Sequence, residues 1–197
     1  MTIRFLCVLL FLSLIGCGSS QPNIIPTTNG NNRGVLELMS AARQGGASSQ
    51  YLIGKYYVNG TNLPLDADRG AQWLKRGAKT NFPHAKYELA LLHIEGRGVP
   101  KDPVEANRLL ASASQQGYIP AQRFYSLFLY RAGPEELRDP VRAYGWLSAL
   151  RKNSAEEYQG VAFLTRQIEG ELSESDLEQA RVLSATYPGL YPPWNQR

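Results

Sequence analysis

From Gly34 onward the apolar positions follow helical spacing, and the pattern itself recurs with a period near 36 residues. Ser49, Ala85 and Ala121 are equivalent positions. Gly54, Ala90 and Ser126 follow them by five residues, and Tyr57, His93 and Leu129 come three residues later. Gly60, Gly96 and Ala132 are expected to close the first helix of each unit. Asp66, Asp102 and Asp139 then open the second, the last displaced by one inserted residue. Gly70, Ala106 and Ala143 lead to Trp73, Leu109 and Trp146, one turn further on and expected to face the seam between helices. Small residues at 54, 90 and 126 let neighbouring helices approach closely. Asp102-Pro103 and Asp139-Pro140 read as cap and first helical residue: the carboxylate accepts free backbone N–H groups and the proline ring presets φ. Gly60, Gly96 and Gly98 suit left-handed backbone. Each unit is therefore a helix, a glycine-rich turn and a capped second helix. One such pair cannot bury its apolar face alone, so the pairs must stack.

The ends fit this scheme. Val35 to Arg43 matches a second helix without its first, and Ala155 to Glu171 predicts a further amphipathic helix. Ser173 to Asp176 begins like a capping box, and the helix continues through Leu177 to Thr186. The proline-rich tail from Tyr187 cannot be helical. Tyr187, Tyr191 and Trp194 are expected to cover the last helix, as solenoid ends require.

The first 33 residues differ in kind. Residues 1–16 carry Arg4 and then the apolar run Phe5 to Ile15, shorter than a bilayer span and of signal-peptide length. Leu14-Ile15-Gly16-Cys17 resembles a bacterial lipobox, which implies cleavage before Cys17 and lipidation of that residue. Several acyl chains give stable anchoring where one gives only marginal binding. By the same resemblance Gly18, where aspartate would favour inner-membrane retention, points to the periplasmic face of the outer membrane. Residues 17–33 then form the lipidated cysteine and a flexible tether rich in Gly, Ser, Asn, Thr and Pro, about 20–25 Å long as a coil. Residues 34–197 form the repeat domain. Losing residues 1–16 lowers the formal charge from +4 to +3 and leaves Cys17 as the one cysteine, already acylated, so neither a disulfide nor a thiolate catalyst is expected.

The stretch Ala85 to Tyr118, AKYELALLHIEGRGVPKDPVEANRLLASASQQGY, resembles a Sel1-like repeat, a relative of the tetratricopeptide repeat. Ala85, Leu89, Gly96, Gly98, Val99, Asp102, Ala106, Ala113 and Gly117 match its pattern. Ala90, His93 and Leu109 stand where glycine, tyrosine and tryptophan are usual. In the first unit Asn62 replaces the second glycine, Leu63 the valine and Gly70 the alanine. The third keeps Ala121, Asp139, Ala143 and Trp146 but carries Ala132-Gly133-Pro134-Glu135 in its turn. The resemblance implies an all-α fold, a right-handed α-solenoid of stacked helix pairs, whose first helices line a concave face where partners dock. Carried over by repeat position, the candidate partner-binding residues are Tyr51, Lys55, Tyr87, Leu91, Arg123, Leu127, Tyr130 and Arg131. Tyrosine and arginine are types enriched at interface hot spots.

Composition narrows the chemistry. The charges are scattered, with no basic run of the kind that binds nucleic acid. His93 takes an aromatic core position and His84 is expected to be exposed at a helix start. Two histidines and scattered acids make no metal signature, and no nucleophile elbow, phosphate loop or dinucleotide fingerprint is present. Asp66, Asp68, Asp102 and Glu105 sit at helix starts, where capping explains them. No cofactor, metal, catalytic residue or small-molecule substrate is expected. The expected activity is that of a membrane-anchored interaction scaffold for another envelope protein or peptide. Similar lipoproteins suggest an alternative, an immunity protein that neutralises a delivered effector. A cell-wall enzyme is the third reading, weakened because the paired cysteines of Sel1-like proteins similar to penicillin-binding hydrolases are missing.

Overall fold

A computed structural model describes residues 31–153 and 159–188. Among these residues the chain forms nine α-helices and no strand: α1 (Asn31–Arg43), α2 (Ala47–Asn59), α3 (Ala67–Lys79), α4 (Pro83–Glu95), α5 (Pro103–Gln115), α6 (Ile119–Leu127), α7 (Pro140–Asn153), α8 (Gln159–Glu169) and α9 (Glu174–Thr186). From α1 to α8 each helix packs against the next, and α9 lies against α7. The result is the expected all-α solenoid of helix pairs: α2 with α3, α4 with α5, and α6 with α7. The first helix, α1, begins at Asn31, inside the segment read as tether.

The recurring aspartates act as their positions predict. Each accepts a backbone N–H three residues on: Asp66 from Arg69 at 2.9 Å, Asp102 from Glu105 at 2.9 Å and Asp139 from Arg142 at 2.8 Å. Each also donates its own N–H to the preceding first helix, to the carbonyls of Tyr57, His93 and Leu129 at 2.9, 2.9 and 2.8 Å. The cap thus starts one helix and ties it to its partner, satisfying two backbone groups that would otherwise be orphaned.

The turns show what the glycines do. Gly98 adopts φ +69°, and Asn62, its equivalent one unit earlier, adopts φ +63°. Asparagine tolerates this left-handed backbone better than other residues with a Cβ, so the departure from glycine leaves the turn intact. The pair α2 and α3 crosses with backbones close together. A Cβ on Gly54 would lie 2.7 Å from Leu74 Cγ, and one on Gly70 would lie 2.9 Å from the Gly54 carbonyl oxygen.

The third unit departs from its predecessors. Ala132 does not close a regular helix; α6 runs into a π turn at Phe128–Ala132, and Gly133 follows with extended backbone (φ −83°, ψ 169°). The inserted residue falls between Leu129 and Asp139, and the wider i→i+5 turn with its following loop takes it up. The Asp139 bond to Leu129 survives unchanged in kind.

The main core runs from Val58 to Ala180 and includes Leu74, Leu110, Tyr125, Phe128 and Trp146, all almost fully buried. A smaller cluster of Val35, Met39, Ala42, Ile53, Tyr57 and Leu63 holds α1 to the first unit. Leu109 and Trp146 face the seam as expected, but Trp73 is only partly buried beside Arg76. At the other end Ser173 and Asp176 form the expected capping box. Tyr187 stacks flat on Trp146, with centroids 3.8 Å apart and planes 4° from parallel. Tyr191 and Trp194 lie outside the described residues, as does Cys17.

Candidate functional site

The first helices set their outward side chains in one row. Positions 51, 87 and 123 are one period apart, as are 55, 91 and 127, so each trio repeats the same helix phase. Tyr51 and Lys55 stand on α2. The Lys55 ammonium pairs with Glu88 of α4 at 2.9 Å and lies 5.6 Å from the centre of the Tyr51 ring.

Aromatic rings fill the space between these helices. Tyr51 meets Phe82 at 5.8 Å and His84 at 5.5 Å, and Phe82 and His84 stack at 4.7 Å. His84 meets Tyr118 at 4.3 Å, Tyr118 meets Tyr87 at 5.6 Å, and Tyr87 meets Phe124 at 6.2 Å. An unbroken ladder of rings therefore joins α2 to α6. The offset and edge-on contacts suit the quadrupoles of the rings. Burial pushes the phenols of Tyr51, Tyr87 and Tyr118 above their ordinary range, so they remain neutral donors.

The ladder ends in a groove of about 450 Å³. Tyr87, Arg123, Leu127 and Arg131 line it from one side, and Val161 and Phe163 of α8 from the other. Leu147, 1% exposed, forms part of the floor, whereas Phe163 is 62% exposed and stands at the rim. Two guanidinium groups and no carboxylate belong to the lining. The volume falls within the range of ligand clefts.

Of the eight candidates, the structure brings Tyr87, Arg123, Leu127 and Arg131 into this groove, and Tyr51 and Lys55 lie at the far end of the ladder. Leu91 is half-buried on α4 and does not line the groove. Tyr130 turns toward the α8–α9 connection, where its hydroxyl donates to Glu171 Oε1 at 2.5 Å. Phe82, Tyr118, Phe124 and Phe163 escape the sequence reading. Phe82 and Tyr118 carried a signal: they are 36 residues apart, and each directly precedes a helix with proline in its first turn.

The expectation for His84 requires correction. It is half-buried among three rings, because Pro83 starts α4 so early that the next side chain points into the ladder. Burial, then the nearby Lys55 charge, lower its pKa below the usual 6.5. The unfolded chain therefore takes up this proton first, and the stability gained by keeping the ring neutral is lost as pH falls through about 6.5. Replacing His84 by Phe should remove this loss. The gap in thermal midpoint between His84→Phe and wild type should widen, in favour of the variant, from pH 7.5 to pH 5. A constant gap would show that the imidazole takes up its proton equally in the folded and unfolded chains, so that the ring ladder does not hold it neutral. His93, as expected, is a core residue, with Nδ1 3.1 Å from the Pro100 carbonyl oxygen.

Among the described residues no group of three or more His, Cys, Asp or Glu side chains is placed to hold a metal ion, and no helix is long and apolar enough to cross a membrane.

Comparison with known proteins agrees with the geometry. An uncharacterized protein of Neisseria meningitidis serogroup B is 30% identical over 97 residues, 49% of this chain and 20% of that protein. The chain thus spans about a fifth of the length of that curated relative. Among solved structures, a protective antigen of uropathogenic Escherichia coli with an SLR fold superposes with a TM-score of 0.56 at 21% identity, over 84% of this chain and 43% of the antigen. A Sel1 repeat protein from Oxalobacter formigenes gives a TM-score of 0.52 at 23% identity, over 76% of this chain and 98% of that protein. Residues 47–80, 83–118 and 119–150 each match the Sel1 repeat, together more than half of the sequence. These three segments coincide with the three capped helix pairs, and the chain belongs to the Sel1 repeat family.

Proposed function

We propose that this chain is an interaction module of the bacterial cell envelope, anchored through a lipid on Cys17, which holds a protein or peptide segment along the face of its first helices. One observation carries the reading. Tyr87, Arg123, Leu127 and Arg131, selected by repeat position, converge on one groove whose rim bears the exposed ring of Phe163. Sel1 repeat proteins generally mediate contacts between proteins. Rigid aromatic and arginine side chains on helices lose little entropy on binding and can anchor a partner. The groove lining carries two guanidinium groups and no carboxylate, which favours a segment with carboxylates beside apolar side chains. The anchor rests on the Leu14-to-Cys17 sequence and its tether. No catalytic step is assigned.

A photo-crosslinking residue placed at Leu127, in the full chain expressed in its own host, should form one discrete adduct. The same residue at Arg108, an exposed position of the second helix α5, should not. Combining Tyr87→Ala with Arg123→Glu should weaken the captured partner about 30-fold, in line with a hot-spot loss of about 2 kcal/mol. Equal labelling from both positions, or an adduct indifferent to those substitutions, would remove the groove from the function. Metabolic labelling with palmitate should mark the wild-type chain and not Cys17→Ser.

A further inference from the structure

A second concavity, of about 270 Å³, lies between α1 and α3, well away from the groove. Arg43 contributes from the end of α1, and Arg69, Gln72, Trp73 and Arg76 from α3, with Tyr57 beneath. Three guanidinium groups therefore share one small space. Arg69 is held by Asp66 at 3.1 Å. Among the described residues no carboxylate pairs with Arg43 or Arg76. Arg76 lies instead over the Trp73 ring, 4.5 Å from its centroid.

This arrangement is particular to the first unit. At the repeat position of Trp73, the later units bury Leu109 and Trp146, 2% and 1% exposed. At the position of Arg76 they carry Ser112 and Ala149. Only here does the ring form a partly open wall, with arginines placed around it. A structural repeat needs neither the charges nor the opening. The space is larger than a bare ion requires, and the ring offers an apolar surface beside the cationic one. Guanidinium forks match phosphate oxygens in pairs, and an indole face packs against the carbon skeleton of a small organic group.

We infer that the pocket bounded by Arg43, Arg69, Trp73 and Arg76 binds a phosphate ester carried on a small organic group, with Arg43 and Arg76 neutralising the phosphate and Trp73 holding its carbon skeleton. The ester can arrive as a soluble metabolite or as a phospholipid headgroup, since both present the same chemistry. The inference is independent of what the groove binds.

The test uses the full chain in neutral detergent and isothermal titration with two probes: glycerol 3-phosphate in solution, and phosphatidylglycerol added within the micelles. Glycerol and empty micelles serve as blanks. At least one probe should bind saturably, near one per chain, and more weakly as salt is raised. Removing both unpaired charges, with Arg43→Gln and Arg76→Gln together, should weaken binding at least tenfold. Lys75→Gln removes a charge from the same helix outside the pocket and should change it less than twofold. Binding of the lipid alone assigns the site to a headgroup, and equal binding of both probes assigns it to the ester itself. Binding of neither probe, equal binding by the double variant, or equal loss in Lys75→Gln would overturn the inference. Because both arginines are exposed, the variants should keep the wild-type thermal midpoint; a double variant that does not is replaced by the two single ones, each expected to lose at least threefold.

Discussion

Replacing Gly98 by Val should lower the thermal midpoint by about 10–15 °C, followed by helical circular dichroism. Two effects add. The backbone at 98 is left-handed (φ +69°), which costs a residue with a Cβ about 1–2 kcal/mol. A Cβ there would also stand 2.2 Å from the Ala67 carbonyl oxygen and 2.4 Å from its carbon, at the start of α3. No flexible side chain is available to give way, so the overpacking cost falls near the upper end of about 1–3 kcal/mol. A loss of about 3–5 kcal/mol corresponds to the stated shift for a domain of this size. Gly98→Asn should recover only part of it, because asparagine relieves the torsion and not the collision. Gly34→Ala is the control: its added methyl meets nothing within 4 Å, and the midpoint should hold or rise slightly. A shift below about 3 °C for Gly98→Val would mean that the second unit's turn does not rest on α3.

Truncating Trp146 to Ala should cost about 3–5 kcal/mol in urea unfolding, the range for a large buried aromatic. The ring is 1% exposed, lies 6.2 Å from Tyr125 and is covered by the stacked Tyr187. Its removal opens a cavity between the third unit and the last helix and leaves Tyr187 without its platform. Tyr187→Ala should therefore cost much less in the Trp146→Ala background than in wild type, with about 0.5–1.5 kcal/mol of coupling. Trp146→Phe should lose less than half as much as the Ala change. Among the described residues the indole N–H has no acceptor, and phenylalanine removes that buried donor along with some contact area. Purely additive losses at 146 and 187 would show that the chain beyond α9 is not held by this stack.

The spacing of small residues, caps and glycines makes the helix pairs readable because each depends on neighbours within one unit. Asp66, Asp102 and Asp139 were legible for this reason, whereas Asn62 read only as a departure from glycine until its left-handed backbone was seen. Part of the groove was legible too, since Tyr87 and Arg123 are one period apart and Leu127 and Arg131 follow Arg123 at steps of four residues. What escaped depends on contacts between distant segments. Phe163 reaches the groove only because α8 packs on α7 and faces α6 across the groove, which no local pattern encodes. Trp73 matches Trp146 in sequence and differs from it in burial, because burial depends on what lies across from the ring. His84 was misjudged because Phe82 and Tyr118, which enclose it, come from inter-helix connections rather than from a helix stripe.

The π turn at Phe128–Ala132 has a further consequence for how such a chain can change length. One residue added inside α7 would rotate everything beyond it by about 100° around the helix axis. Trp146 would then swing out of its stack with Tyr187, and the last helices would lose their seat. Because the extra residue is taken up before Asp139, the cap resets the angular phase and α7 presents the same side as α3 and α5. Growth or loss of single residues is therefore harmless at these corners and ruinous a few positions later, and the aspartate marks the border between the two.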